Sequence, residues 1–265
     1  MVFGHNTKSL WLRLQTGKVM VKILKLKKIN STNDFAKELL RLYPLEEINN
    51  TVVCAKVQTK GRGVGSNEWL SEPYKNLTFS LIHEPAYLYI DEIFYLSKVS
   101  ALALATFLHS ENILAYIKWP NDIIVSGKKI SGILIENSIS GTKIRATVIG
   151  IGLNVNQISF PPVLNATSMK QITGQTYDLD KTLNLLLEKL FFWLEKLQQG
   201  RFDVIDSQYH SLLFNYKKSA KFRKNGEFLE GTVLGVDQFG RLLLEVPGRN
   251  AVMKFAQKEV ELVYE

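Results

Sequence analysis

The chain has 265 residues, 46% hydrophobic and 22% charged, enough for one large hydrophobic core with a smaller unit beside it, and this balance excludes disorder, collagen and a coiled coil. No run approaches the roughly 20 apolar residues of a membrane span, since the nearest candidate is interrupted at Ser97, Lys98 and Ser100. A net charge of +8 favours anionic partners, the single cysteine, Cys54, rules out an internal disulfide, and the four histidines lack zinc-type spacing, so a reducing cytoplasm without a structural zinc is expected.

Residues 1–20 are basic and weakly apolar, without the uninterrupted apolar core of a signal peptide, and read as an N-terminal extension. Met20, directly ahead of the first strand-like pattern, is a candidate alternative start. The Val/Ile/Leu-rich stretch 21–29 predicts a strand, and Phe35, Leu39, Leu40 and Tyr43 predict a helix over 33–43 capped by Ser31 or Thr32. Residues 51–57 (TVVCAKV) and 77–83 (LTFSLIH) read as strands, and 91–110 as a core helix, apolar nearly all round. Stretches 115–119, 123–125, 130–136 and 145–154, joined by Pro120-Asn121-Asp122 and Ser126-Gly127 turns, predict hairpin-linked strands.

Asp178 or Asp180 caps an amphipathic helix through Leu183, Leu186, Leu187, Leu190, Leu194 and Leu197, stopped by Gly200, and a shorter helix follows over 204–214. Beyond 217 only short alternating segments remain, GTVLGV, RLLLEV, AVMKFA and VELVY, separated by DQFG and PGRN turns, which is the pattern of a small β-barrel. The expected architecture is α/β (α+β): a mixed sheet with helices on one face over 21–215, then a C-terminal barrel over 216–265.

Four segments carry chemistry. The loop from Gln58 through Gly61, Arg62, Gly63, Val64, Gly65, Ser66 and Asn67 to Trp69 leaves a strand; its glycines let the backbone approach a ligand, and Arg62 adds a guanidinium. It is neither a Walker A loop nor a GxGxxG fingerprint. Lys118-Trp119-Pro120-Asn121-Asp122 gathers a cation, an indole, an amide and a carboxylate around one turn, where simple turn chemistry with an aromatic anchor is the competing explanation. Lys129-Ile130-Ser131-Gly132 opens a strand with a lysine near a glycine, and Gly150-Ile151-Gly152-Leu153-Asn154-Val155-Asn156 puts glycines where a strand expects apolar side chains, which implies a bulge or a close approach.

Together with Ser31-Thr32-Asn33, these segments resemble biotin protein ligases in order and spacing, over about 21–265. The likeness is to the class without an N-terminal DNA-binding domain. It implies that ATP and biotin, with Mg²⁺, give biotinyl-5′-AMP and pyrophosphate, and that biotin then passes to one lysine of a biotin carboxyl carrier domain of the acetyl-CoA carboxylase type.

On this resemblance Arg62, Lys129 and Lys118 are the catalytic cations. Biotin is held by Ser31, Thr32, Asn33, Gln58, Gly61, Arg62, Gly63, Lys129, Gly132 and Gly150, and the adenylate side by Arg62, Val64, Trp69, Lys118, Asn121, Lys129, Asn154 and Ala166. Trp119 is expected to pack, and Glu136 to hold a metal or a strand end. The resemblance also implies an SH3-like form for the C-terminal barrel and admits a homodimer. One departure stands out: family members often follow Gly-Arg-Gly with further arginines, whereas this chain has Val64-Gly65-Ser66-Asn67. A lipoate ligase and a nucleic-acid-binding protein are the competing readings, the latter from the +8 charge and the cluster Lys217, Lys218, Lys221, Arg223 and Lys224.

Overall fold

A computed structural model describes residues 7–13, 19–141 and 143–263. The large sheet has eight strands, β1 (Thr7–Arg13), β2 (Met20–Leu26), β3 (Thr51–Ala55), β4 (Leu77–His83), β5 (Tyr116–Lys118), β6 (Asp122–Val125), β7 (Lys128–Ser140) and β8 (Lys143–Leu153). Their order across the sheet is β1-β2-β3-β4-β8-β7-β6-β5. Only β2 and β3 pair in parallel, as a crossover through the helix α1 (Thr32–Leu42) requires; every other neighbour is antiparallel. Within the N-terminal extension, β1 pairs with β2 from Thr7 opposite Leu26 to Arg13 opposite Met20, so its backbone satisfies an otherwise bare sheet edge.

The expectation of helices on one face is corrected. Along β2, Val21 and Ile23 join one apolar cluster, Leu24 and Leu26 another; β3 divides likewise at Val52 and Val53. Both faces of these strands are buried, and both need cover. On one side lie α3 (Phe94–Ser110), α5 (Leu179–Gln198) and α6 (Phe202–Leu212); on the other Ala36 and Leu39 of α1 pack, with Leu45 and Ile48 of the short α2 (Leu45–Ile48). The predicted caps form. Ser31, not Thr32, accepts from the Asp34 N–H at 3.4 Å; Asp178, not Asp180, accepts from Lys181 N–H at 2.8 Å. Gly200 follows α5 at φ +68°.

Ile90–Ser110 is long and apolar enough to cross a membrane by length and composition, but this segment carries α3, packed against the sheet and α5. Its one fully buried charge, Lys98, pairs with Asp206 of α6 at 2.6 Å. Beyond α6 a separate antiparallel sheet contains β9 (Ser219–Lys224), β10 (Glu227–Val236), β11 (Leu242–Glu245), β12 (Met253–Phe255) and β13 (Glu261–Leu262) in the order β12-β11-β10-β9-β13. The sequence pattern had missed β9, because its basic residues alternate with a single buried aromatic, Phe222. Phe222, Val233, Leu244 and Phe255 continue the core of the large sheet rather than forming an isolated one.

Candidate functional site

The floor of the site is the α1-side face of β4, β8 and β7. Ser80 lies opposite Gly150, which lies opposite Leu134; Thr78 lies opposite Gly152, which lies opposite Gly132. Period-2 alternation puts Thr78, Ser80, Gly132, Gly150 and Gly152 on one face, where larger residues would fill the space. A Cβ on Gly150 would run into Asn33 Oδ1, and one on Gly152 into the Trp69 indole, so the glycines leave this floor bare for two particular side chains. The resulting cavity measures about 420 Å³.

The start of α1 forms one wall. Thr32 N–H donates to Gln58 Oε1 at 2.7 Å, and Asn33 Nδ2 donates to Glu136 Oε2 at 2.9 Å and to the Leu134 carbonyl at 3.3 Å. Ser80 Oγ, at the floor, lies 2.6 Å from Asn33 Oδ1 and 2.8 Å from Thr32 Oγ1. Ser31, Thr32, Asn33 and Gln58 therefore meet at the cavity as expected, in a fixed polar cluster.

Arg62 reaches back from the Gly-rich loop to Asp34 at 2.6 Å and to Glu136 at 3.1 Å, and Lys37 joins Glu136 at 2.8 Å. Burial opposes charge on Arg62, but Glu136 and Asp34 outweigh it and raise its pKa; burial likewise disfavours the Glu136 carboxylate, but hydrogen bonds from Lys37 and Asn33, with the charges of Lys37 and Arg62, bring it below its ordinary value. Glu136 thus links the loop arginine to Asn33 and Lys37 of α1. Among the described residues no group of three or more His, Cys, Asp and Glu is arranged to hold a metal.

Lys129 stands 2.7 Å from Asp122 Oδ1, a close ion pair without an aligned hydrogen bond, and 5.7 Å from the centre of the Trp69 ring. The indole Nε1 of Trp69 is buried in the cavity wall without a partner. Lys118, Gly63, Val64 and Asn121 also line the cavity, although the Asn121 amide is committed to the Ile133 carbonyl at 3.1 Å, which ties the turn before β6 to β7. Trp119 packs as expected: its Nε1 donates to the Gly240 carbonyl at 2.8 Å, fastening the large sheet to the small one.

Three predicted residues lie outside the cavity lining, and each acts on the backbone behind it. Gly61 closes the loop, accepting from Trp69 N–H at 3.0 Å where a Cβ would run into the Trp69 carbonyl. Ala166 bridges the main chain of Lys129, and Asn154 donates to the Thr167 carbonyl at 3.0 Å from a buried position. The buried Oδ1 of Asn154 has no partner. Sequence reasoning had missed Asp34, Ser80, Asp122 and Gly152. Asp122 and Gly152 sat inside recognised motifs, whereas Ser80 is an ordinary strand serine until the ladder places it opposite Gly150.

The cavity lies on a glycine-rich floor of a mixed sheet, with cations at its rim and an amide and hydroxyl cluster at one wall, the form of a small-molecule site. Residues 26–154 match the model of the biotin/lipoate A/B protein ligase family. A bifunctional ligase/repressor BirA of Bacillus spizizenii is 34% identical over 243 residues, 88% of this chain and 72% of that protein. A biotin--[acetyl-CoA-carboxylase] ligase of Paracoccus denitrificans is 29% identical over 219 residues, 77% of this chain and 88% of its own. The structure of biotin protein ligase from Aquifex aeolicus in complex with biotin and ATP superposes with a TM-score of 0.76 at 26% identity, covering 92% of this chain and 99% of that one. The chain belongs to the biotin/lipoate A/B protein ligase family.

Proposed function

We propose that the protein is an ATP-dependent biotin ligase that forms biotinyl-5′-AMP and transfers biotin to a lysine of a biotin carboxyl carrier domain, as in the acetyl-CoA carboxylase ligases among its relatives. The observation that carries this is the cluster of Ser31, Thr32, Asn33 and Gln58 at the same cavity as Arg62 and Lys129, because its amide and hydroxyl groups suit a bicyclic ureido ring with N–H donors and one carbonyl acceptor. Ser31, Thr32, Asn33 and Gln58 hold the ring, Gly132 and Gly150 pass beneath it, and Trp69 meets the adenylate side.

The chemistry follows from charge. A carboxylate oxygen attacks the α-phosphorus and pyrophosphate leaves, so like charges meet and cations must offset them. Lys129 carries its ammonium at the strand end beside the cavity, and Asp122 holds it in place. Arg62 is held by Asp34 and Glu136 until an anion competes for it, which couples the loop to ligand arrival and helps exclude water from the mixed anhydride. Lys118 contributes a further positive charge at the rim. In the second step the carrier lysine amine attacks the acyl carbon, loses a proton, and releases AMP.

Asp122 at the cavity is paired with Lys129, Asp34 and Glu136 beside it are paired with Arg62 and Lys37, and among the described residues no three carboxylates gather, which supports a Mg²⁺ arriving on the nucleotide phosphates rather than one kept by the protein. Such an ion offsets phosphate charge. The division at 215/216, with an SH3-like form for the C-terminal unit, is supported by the change to a purely antiparallel sheet, and a cytoplasmic setting by the lone Cys54. The test combines protein, biotin, MgATP and an apo carrier domain, with intact mass of the carrier and pyrophosphate as readouts. A biotin-sized gain on the carrier is expected; neither signal from folded protein overturns the reading.

A further inference from the structure

Lys258 belongs to the C-terminal unit, in the turn between β12 and β13, yet it lines the same cavity as Lys129 and Arg62. Its φ is +72°, in the left-handed region where an L side chain is strained and glycine is free. The turn is held by Glu259, whose carboxylate accepts from the Ala256 N–H at 2.7 Å; that carboxylate is thus turned to the backbone. Among the described residues Lys258 closes no ion pair, although Glu68 and Glu261 line the same cavity. Its ammonium rests on the Gly-rich loop at Gly65, where a Cβ would lie 2.5 Å from Nζ. The loop residues between Arg62 and Glu68 carry no charge of their own.

We propose that Lys258 is a nucleotide-binding residue that crosses from the C-terminal sheet to the Gly-rich loop and holds the terminal phosphates of ATP. This rests on the ligase reading and names a contact within it. Arg62 and Lys129 belong to the large-sheet unit and are held by carboxylates, Arg62 by Asp34 and Glu136 and Lys129 by Asp122, whereas Lys258 comes from the C-terminal unit against the uncharged part of the loop. A triphosphate brings several negative charges to cations already engaged by carboxylates, and an ammonium is a point donor suited to its outer oxygens. The strained turn holds that donor at the loop, so nucleotide binding draws the C-terminal unit and the loop together.

The experiment compares wild type with Lys258→Gly, which relieves the backbone, Lys258→Gln, which keeps the length, and Lys258→Arg, which keeps the charge. Calorimetric titration with a non-hydrolysable ATP analogue, with AMP and with biotin is run beside steady-state pyrophosphate release. Expected is a weakening of about tenfold for the ATP analogue and a similar rise in KM for MgATP in the Gly and Gln variants, with AMP and biotin affinities within about twofold of wild type and recovery in the Arg variant. Unchanged affinity for the analogue in both neutral variants, or equal weakening of analogue, AMP and biotin, overturns the proposal. The ligase reading fails separately, through absence of biotin-dependent pyrophosphate from the wild type, while analogue binding still reports on Lys258. Thermal unfolding of each variant identifies any loss that comes from misfolding.

Discussion

At the ligand cavity Arg62 keeps 38% and Asp34 48% of their side-chain surface in water, whereas at the joint between α3, α6 and the C-terminal sheet Lys98 keeps none. The cavity charges have several interchangeable partners: Arg62 has Asp34 and Glu136, and Glu136 has Lys37 and Asn33 besides. Lys98 has one carboxylate, Asp206, shared with the Tyr95 hydroxyl at 2.8 Å, and an aromatic cage in which the Tyr95 ring centre lies at 4.5 Å. Burial lowers the Lys98 pKa and Asp206 opposes that shift. Half-exposed charges with spare partners are free to change partners when an anion arrives; a buried charge with a single carboxylate, whose ammonium also donates to the Val236 carbonyl at 3.5 Å, holds elements together. The first arrangement suits binding and the second suits assembly.

The comparison is broken most decisively at Arg62. Arg62→Ala is expected to lower the adenylation rate by roughly 10²-fold or more, about 3 kcal/mol in the barrier, while shifting unfolding free energy by less than about 1 kcal/mol. Burst-phase formation of biotinyl-AMP and a urea melt separate the two. Lys98→Met is expected to do the reverse, costing about 3 kcal/mol of stability because Asp206 and Tyr95 lose their cation, with kcat per folded molecule preserved. An equal loss of kcat at full folding would assign Lys98 to the catalytic machinery.

A smaller effect comes from His83, whose pKa burial lowers from 6.5 to about 4, with Asn50 Oδ1 and the Tyr87 hydroxyl each 3.1 Å from its ring nitrogens. The folded state prefers the neutral ring, so this contribution is complete above the ordinary histidine range and is lost as pH falls through 4. Stability is expected to drop by about 2 kcal/mol between pH 7 and 5, a slope that His83→Gln flattens in urea melts. The smallest effect is at Trp119→Phe, which removes the hydrogen bond to Gly240 and is expected to cost about 1 kcal/mol, read as an earlier loss of protection in the C-terminal sheet by hydrogen exchange.

Much of the fold is legible from local pattern. The apolar periodicity of α5, the all-round apolarity of α3 and the turn residues between the C-terminal strands depend on neighbours in sequence, and these elements form where they are expected. β1 and β9 escaped because edge and basic strands carry little alternation that distinguishes them from surface loops. The placement of α1 opposite α3 was invisible for a related reason: strands buried on both faces read as continuous apolar runs, which do not say how many layers cover them.

In the site, contiguous motifs were readable and long-range partners were not. Gly150 announces a close approach, but nothing in its neighbourhood names Asn33 as the group that approaches. Gly61, Asn154 and Ala166 belong to the right segments, yet they support the backbone behind the wall rather than line it. The sequence by itself determined the four long helices, most strands and the Gly-rich loop, because propensity, capping and period act within a few residues. Only the tertiary structure decided that Arg62 is restrained by Asp34 and Glu136, that Ser80 faces Gly150, and that Lys258 meets Gly65, because sheet register and layer packing join residues that the chain separates by tens to hundreds of positions.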